Sequence, residues 1–465
     1  MKSFLAGGLL LLISMHCSSA DSFQLKTSVC KNGDYDFMES KDIGDDYDTN
    51  LRIWSEFNTL YKDKKSRKLV VFLDGTRNNA DKPTNIRFLY RMALTQACRG
   101  EAIIPYYDKG VGTHMNDQFS GSAFGSGVSR NIRQAYQFLS HTYKAKGENS
   151  DGDDIYIFGF SRGAFTARSL NGFIEMAGLL DGTKMSVSPA SWWPFPAYIY
   201  QGFTQINYIT EKVFNEYHIV PYHKYGFDDY LKSTIKSFVE KNFPKESFQR
   251  VNVKVIGVFD TVPAIGFFLN DEPDNHRLDL YAQKGFHALS LDEQREAFEL
   301  NRFNKNRLQG NELIEIWFAG GHSDIGGGYP KSAWCNKDSS TNEYLSGLST
   351  IPLKWMLASL KEEKLFPSSA ESQLEECSDG ELHDEYYETL GIYKIIKGKK
   401  ARKPRDKDCL HISILERIKN SKITPLPKPH NKREPFGLYN PENLENSIES
   451  YKFIKTDFSK DCLIQ

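Results

Sequence analysis

Apolar residues fall along this chain in short runs, each closing on a glycine or a small polar turn. Lys68 to Leu73 is one, predicting a strand that runs into Asp74-Gly75-Thr76-Arg77-Asn78-Asn79. From Thr84 to Ala97 the apolar positions recur at three- and four-residue spacing, which predicts a helix. Ala102 to Tyr107 is the next strand, Gly110 to Gly127 reads as a glycine-rich loop over the strand ends, and Val128 to Lys146 is helical again. Ile155 to Phe158 predicts a buried strand, Gly159-Phe160-Ser161-Arg162-Gly163 a tight turn, and the residues to Leu180 a small-residue amphipathic helix. Val251 to Phe259 and Leu313 to Phe318 are further strands, ending in Asp260-Thr261-Val262 and in a glycine-rich loop around His322, and Ile351 to Leu365 predicts a helix. Strands alternating with helices predict an α/β fold with a mostly parallel sheet covered on both faces.

Four segments break this rhythm. Met1-Lys2, an apolar run from Phe4 to Met15 and the small residues Ser18 and Ala20 have the layout of a secretory signal cleaved near Ala20. A lipoprotein signal ending at Cys17 is the weaker reading, because Met15-His16 is a poor match to the small residues such signals carry. Residues 21–66 are polar and acidic and read as a lead-in. Residues 182–250 hold SWWPFPAYIYQGF and then helical stretches, an insertion suited to lining an acyl pocket or meeting a lipid interface, or to forming the core of a helical subdomain. The catalytic domain is therefore expected over 67–365, with 366–465 as an extension packed on it. In that extension an acidic stretch from Glu371 to Glu388 and a basic one from Lys394 to Lys407 read as solvated faces.

Composition adds three constraints. A chain of 465 residues with 40% hydrophobic residues can bury a sizeable core. Its net charge of -1 supplies no field that would draw in nucleic acid. Of the 7 cysteines, Cys17 falls inside the signal, leaving Cys30, Cys98, Cys335, Cys377, Cys409 and Cys462. An even set in an exported chain permits disulfides, with every pairing open, and no C-x-x-C pair suggests a zinc ribbon or a redox motif.

The chemistry sits at the predicted strand ends. Gly159-Phe160-Ser161-Arg162-Gly163 is a G-x-S-x-G turn between a strand and a helix, a setting that exposes the Ser161 hydroxyl. Asp260 and His322 close two later strands, so the order along the chain is serine, aspartate, histidine, that of the α/β-hydrolase fold. A serine hydroxyl becomes nucleophilic when a neutral imidazole takes its proton, and a buried carboxylate orients that imidazole and stabilises its cation. The oxyanion would be met by the backbone N–H of Arg162 and by a second donor from Gly75 or Thr76. Asp74, Gly159 and Gly163 are expected to shape the site. Asp324 competes with Asp260 for the acid role, yet its place two residues from His322 suits it better to shaping that loop. The Asp74-Gly75-Thr76 turn also resembles the opening of haloacid-dehalogenase phosphatases, but Phe72 stands where their nucleophilic aspartate would be. The glycines around His322 lack the Lys-Ser or Lys-Thr of a phosphate-binding loop. No cofactor and no metal are expected.

Taken together, LVVFLDGTRNN, IFGFSRGAFTARSL, VIGVFDTV, FHALSLDEQREAF, IWFAGGHSDIGGGYP, LHISILERI and YNPENL resemble the bacterial type VI secretion phospholipase effector-like family of α/β hydrolases. The blocks run in order from about Leu69 to Leu444. The resemblance implies Ser161, Asp260 and His322 as the triad and membrane phospholipids as substrates, often in toxins against competing bacteria. It leaves open a secretion-apparatus or immunity partner, and the export signal departs from the usual route of such effectors. An esterase or thioesterase on other substrates, or an inactive hydrolase-like binding protein, are the alternatives.

Overall fold

The computed structural model describes residues 29–30, 47–75, 83–110, 121–182, 210, 212–213, 227–243, 248–263, 279–308, 310–329, 346–388, 398–423, 438–441, 443–444, 448–456 and 462–464. The signal segment and the aromatic stretch of the insertion lie outside these residues.

Eight strands form one sheet: β1 (Lys68–Leu73), β2 (Ile103–Asp108), β3 (Asp154–Phe160), β4 (Val253–Phe259), β5 (Lys284–Ser290), β6 (Glu312–Phe318), β7 (Cys409–His411) and β8 (Lys452–Ile454). Their order across the sheet is β8-β7-β6-β5-β4-β3-β1-β2, and all of these pairings are parallel. The inner strands are buried along nearly their whole length, as expected when helices cover both faces. Because β1 lies between β2 and β3, the chain reverses its direction of travel there. The switch point therefore falls at the carboxyl ends of β1 and β3, the place where open α/β sheets bind their ligands.

The helices that place the site are α1 (Tyr47–Leu60), α2 (Asn85–Cys98), α3 (Gly121–Thr142) and α4 (Arg162–Ala177). The lead-in reaches the sheet: α1 buries Ile53, Trp54 and Phe57 against β2, and a Cys30–Cys98 disulfide ties the chain before α1 to the end of α2. Closing a loop with sequence separation 68, that bridge restricts the unfolded chain. Replacing Cys30 and Cys98 together with serine is expected to cost about 2–4 kcal/mol in urea unfolding, and reductant is expected to lower the native protein's stability but not that of the double variant by this bridge. α2 starts at Thr84, whose hydroxyl accepts from Arg87 N at 3.2 Å.

Three expectations are corrected. Residues 121–127, read as part of a glycine-rich loop, form the first turns of α3, because they precede an amphipathic helix that extends through them. The helix expected over Ile351 to Leu365 ends at Ser359 and gives way to a 3-10 turn, Lys361–Glu363, with Lys364 in the left-handed region at φ 51°. Residues 409–411 and 452–454 do more than pack on the domain: they continue its sheet beyond β6, covering an edge that would otherwise present unpaired backbone groups. A second disulfide, Cys409–Cys462, fastens β7 to the C-terminal segment, and Cys377 is disulfide-bonded as well.

Candidate active site

Three strand ends converge above the switch point. Ser161 follows β3 with φ 59° and ψ -127°, a backbone state that costs free energy and persists only when its surroundings impose it. They do so here: Ser161 N donates to Phe259 O at 3.0 Å, and Phe165 N donates to Ser161 O at 3.2 Å, launching α4. Two flanking positions admit only glycine. A Cβ on Gly159 would stand 2.6 Å from Gly163 O, and one on Gly163 would strike the carbonyl oxygens of Leu73 and Asp74. The amino end of α4 therefore presses directly on the end of β1, and the serine is lifted to the rim of the sheet.

Asp260 ends β4 with φ 42° and is fully buried. His322 follows β6 at the start of a short helix, His322–Gly326. His322 Nδ1 lies 2.6 Å from Asp260 Oδ2, and His322 Nε2 lies 2.7 Å from Ser161 Oγ. A carboxylate only accepts, so Nδ1 carries the proton and the neutral ring leaves Nε2 to accept from the serine hydroxyl. The ring is set by Phe160 and Phe298, with centroids 4.7 Å and 5.0 Å away. Burial pushes the His322 pKa below its ordinary value, and the neighbouring Asp260 opposes this without overcoming it. Burial alone would raise the Asp260 carboxyl, but the charge of Arg402 and the hydrogen bond from His322 hold it well below the usual carboxylate range. The line is thus a neutral base against an ionised acid.

The other predicted residues divide. Arg162 is the first residue of α4, directly after Ser161 at the amino end of the helix. Gly75 is a correction: its N–H donates to Asp74 Oδ1 at 2.7 Å, so the carboxylate beside it occupies the amide assigned to the oxyanion. Thr76 lies outside the described residues. Asp74 organises the turn after β1, its Oδ2 accepting from Thr84 Oγ1 at 2.7 Å and Tyr107 OH at 2.8 Å. Asp324 turns away from the imidazole, accepting from Gly321 N at 2.8 Å and His383 N at 3.0 Å, with His383 Nδ1 2.8 Å from its other oxygen.

Residues that the motifs do not reveal also enter the site. Glu293 Oε2 accepts from His322 N at 3.4 Å and pairs with Arg295 at 2.7 Å, and the Arg295 guanidinium lies 3.5 Å over the Phe298 ring. Arg402, from the basic run, reaches Asp260 Oδ1 at 2.5 Å. Glu293, Arg295 and Phe298 fall inside the block FHALSLDEQREAF, which carries the family resemblance without pointing to any one of them, and Arg402 has no local signal.

Parallel sheet, elbow serine and buried histidine-aspartate pair define an α/β-hydrolase-like protein. The chain belongs to the type VI secretion phospholipase effector family, Tle1-like, whose catalytic-domain model matches residues 67–359. An uncharacterized protein of Saccharomyces cerevisiae, YEL023C, is 29% identical over 253 residues, covering 50% of this chain and 32% of its own length. The chain thus spans about a third of that relative. Among solved structures, an uncharacterized protein from Pseudomonas aeruginosa aligns with TM-score 0.38 and 16% identity over 72% of this chain and 53% of that one. A Tle1 effector bound to the VgrG spike of the type VI secretion system aligns with TM-score 0.32 and 14% identity over 68% and 77% of the two chains. At these scores the structural likenesses add nothing to the family assignment.

Proposed function

We propose that this chain is a serine hydrolase that cleaves carboxylic ester bonds of phospholipids through an acyl-enzyme intermediate. The observation that carries the reading is the continuous line Ser161 Oγ, His322 Nε2, His322 Nδ1, Asp260 Oδ2, with both contacts at hydrogen-bond distance in a buried setting. Ser161 Oγ attacks the ester carbonyl while its proton passes to His322 Nε2, and Asp260 stabilises the imidazolium. The Arg162 N–H meets the oxyanion; loss of one such donor typically costs about 3 kcal/mol of transition-state stabilisation. When the tetrahedral intermediate collapses, the lysophospholipid alcohol leaves with the proton from His322. Water then enters, gives its proton to the same nitrogen, and releases the fatty acid as Ser161 recovers its own. Phospholipid as the substrate rests on the family. Fluorophosphonate labelling of Ser161, together with release of fatty acid from phospholipid vesicles set against soluble short-chain esters, tests both halves. Labelling without vesicle hydrolysis would remove the phospholipid and keep the esterase.

The pH dependence follows from the direction of the His322 shift. A lowered imidazole pKa keeps the base form present to lower pH, so kcat/KM is expected to hold on acidifying through the ordinary value of 6.5 and to fall only below it. An acidic limb centred above pH 7 would contradict this.

Export is part of the same proposal. The amino-terminal pattern and the bonded Cys30, Cys98, Cys377, Cys409 and Cys462 suit an oxidising compartment. The partner to test first is a spike protein of a type VI secretion apparatus, because that is the setting of the family.

A further inference from the structure

Arg402 stands beyond the matched catalytic domain, yet its side chain is buried against the centre of the site. Its Nη1 donates to Asp260 Oδ1 at 2.5 Å and to Ser290 O at 3.3 Å, and its Nη2 donates to Phe298 O at 2.6 Å. Asp260 Oδ1 also accepts from Ser290 N at 3.0 Å, while Oδ2 faces His322. One guanidinium therefore holds the carboxylate, the end of β5 and the loop whose phenyl ring lies against the imidazole.

We propose that Arg402 is a positioning residue for the hydrolytic reaction, fixing the plane of the Asp260 carboxylate and holding the Asp260–His322 couple in its neutral-imidazole state. This rests on the serine-hydrolase reading above. A carboxylate with both oxygens engaged cannot turn, so Oδ2 stays aimed at Nδ1. A carboxylate already paired with a guanidinium also draws a proton onto a neighbouring imidazole less strongly than a bare one does. The other groups facing the couple leave this role to Arg402. Glu293 and Arg295, on the loop after β5, pair with each other and act on the imidazole in opposite directions, the cation lowering its pKa and the carboxylate raising it. His287 on β5 accepts from Thr261 N at 3.2 Å through Nε2 and turns Nδ1 to Glu315 on β6, 3.1 Å away. Glu315 is in turn paired with Arg302 at 2.8 Å. The cation bonded to Asp260 is Arg402.

The test uses full-length protein carrying Arg402→Gln, Arg402→Met or Arg402→Lys. Titration of the His322 Cε1 proton by NMR, assigned through its loss in His322→Gln, is read beside kcat, KM and the pH profile on phosphatidylcholine vesicles. Either uncharged variant that folds is expected to raise the imidazole midpoint and the acidic limb together by about 0.5–1 pH unit, and to lower kcat about 10- to 100-fold with KM within about twofold. Arg402→Lys keeps the charge, and is expected to leave the midpoint in place and recover part of kcat. Variants that all melt earlier with an unchanged midpoint would reduce Arg402 to a structural tie and overturn the proposal. A native protein without esterase activity would instead sink the hydrolase reading, and the imidazole midpoint would still decide whether Arg402 sets the state of the couple.

Discussion

Replacing Ser161 with alanine is expected to lower phospholipid turnover by about 10⁴-fold or more while leaving the fold in place. Removal of Oγ leaves His322 nothing to deprotonate and leaves the acyl group no attachment point. Little in the architecture depends on that oxygen. The turn is held by Ser161 N on Phe259 O and by Phe165 N on Ser161 O, both backbone contacts that alanine keeps. Alanine also tolerates φ 59° about as well as serine does, so the strained conformation survives. The variant should melt with the native protein, fail to bind a fluorophosphonate, and release no fatty acid from vesicles. Because serine and histidine act as a unit, adding His322→Ala should lower the residual rate little further. Native-like turnover by Ser161→Ala would remove the serine mechanism altogether.

That such a prediction is legible in sequence reflects where the chemistry lies. Ser161, Asp260 and His322 lie at or just beyond the ends of mostly apolar stretches, Ile155 to Phe160, Val253 to Phe259 and Leu313 to Phe318, broken only by Gly159, Lys254, Gly257 and Glu315, and a buried parallel strand writes itself as such a stretch, so its end is marked to within a few residues. Strand β5 is harder to see. Gly285 and His287 interrupt its run, and His287 is buried because Glu315 on the next strand partners it, a pairing that only the folded sheet supplies. Arg402 is harder still. It stands in a stretch of cations that reads as a solvated face, and its partner Asp260 is 142 residues away. Nothing local marks which cation of such a run turns inward. Asp408, just past the run, behaves alike, buried against Arg302 at 2.6 Å and Trp317 Nε1 at 3.0 Å. Gly75 fails for a different reason. The turn after β1 is where the sequence places it, but the side chain of Asp74 folds back onto the amide, and the direction of one N–H is below what a pattern can express.

The opposite end of the sheet carries the largest expected effect on stability. Arg67 immediately precedes β1, and its ion pair with Asp153 is buried: the two side chains are 1% and 0% exposed. Arg67 Nε and Nη2 meet the two oxygens of Asp153 at 3.1 Å and 2.5 Å, Nη1 reaches Asn58 Oδ1 on α1 at 2.9 Å, and Nη2 also meets Thr142 O at the end of α3. Asp153 is held in addition by Arg67 N at 3.0 Å and Lys144 N at 2.8 Å. One pair thus joins the lead-in helix, the end of α3 and the starts of β1 and β3. Replacing Arg67 with alanine strands a desolvated carboxylate and is expected to cost about 3–5 kcal/mol in urea unfolding, a large share of the stability of a typical domain. Removing both partners should cost less than the sum of the single losses, since the double variant leaves no buried charge unmatched. The site lies at the carboxyl ends of the strands, so kcat/KM below the melting range should stay within about twofold of native. A loss under about 1 kcal/mol would mean that water reaches Asp153 in solution and that the lead-in is only loosely tied to the sheet.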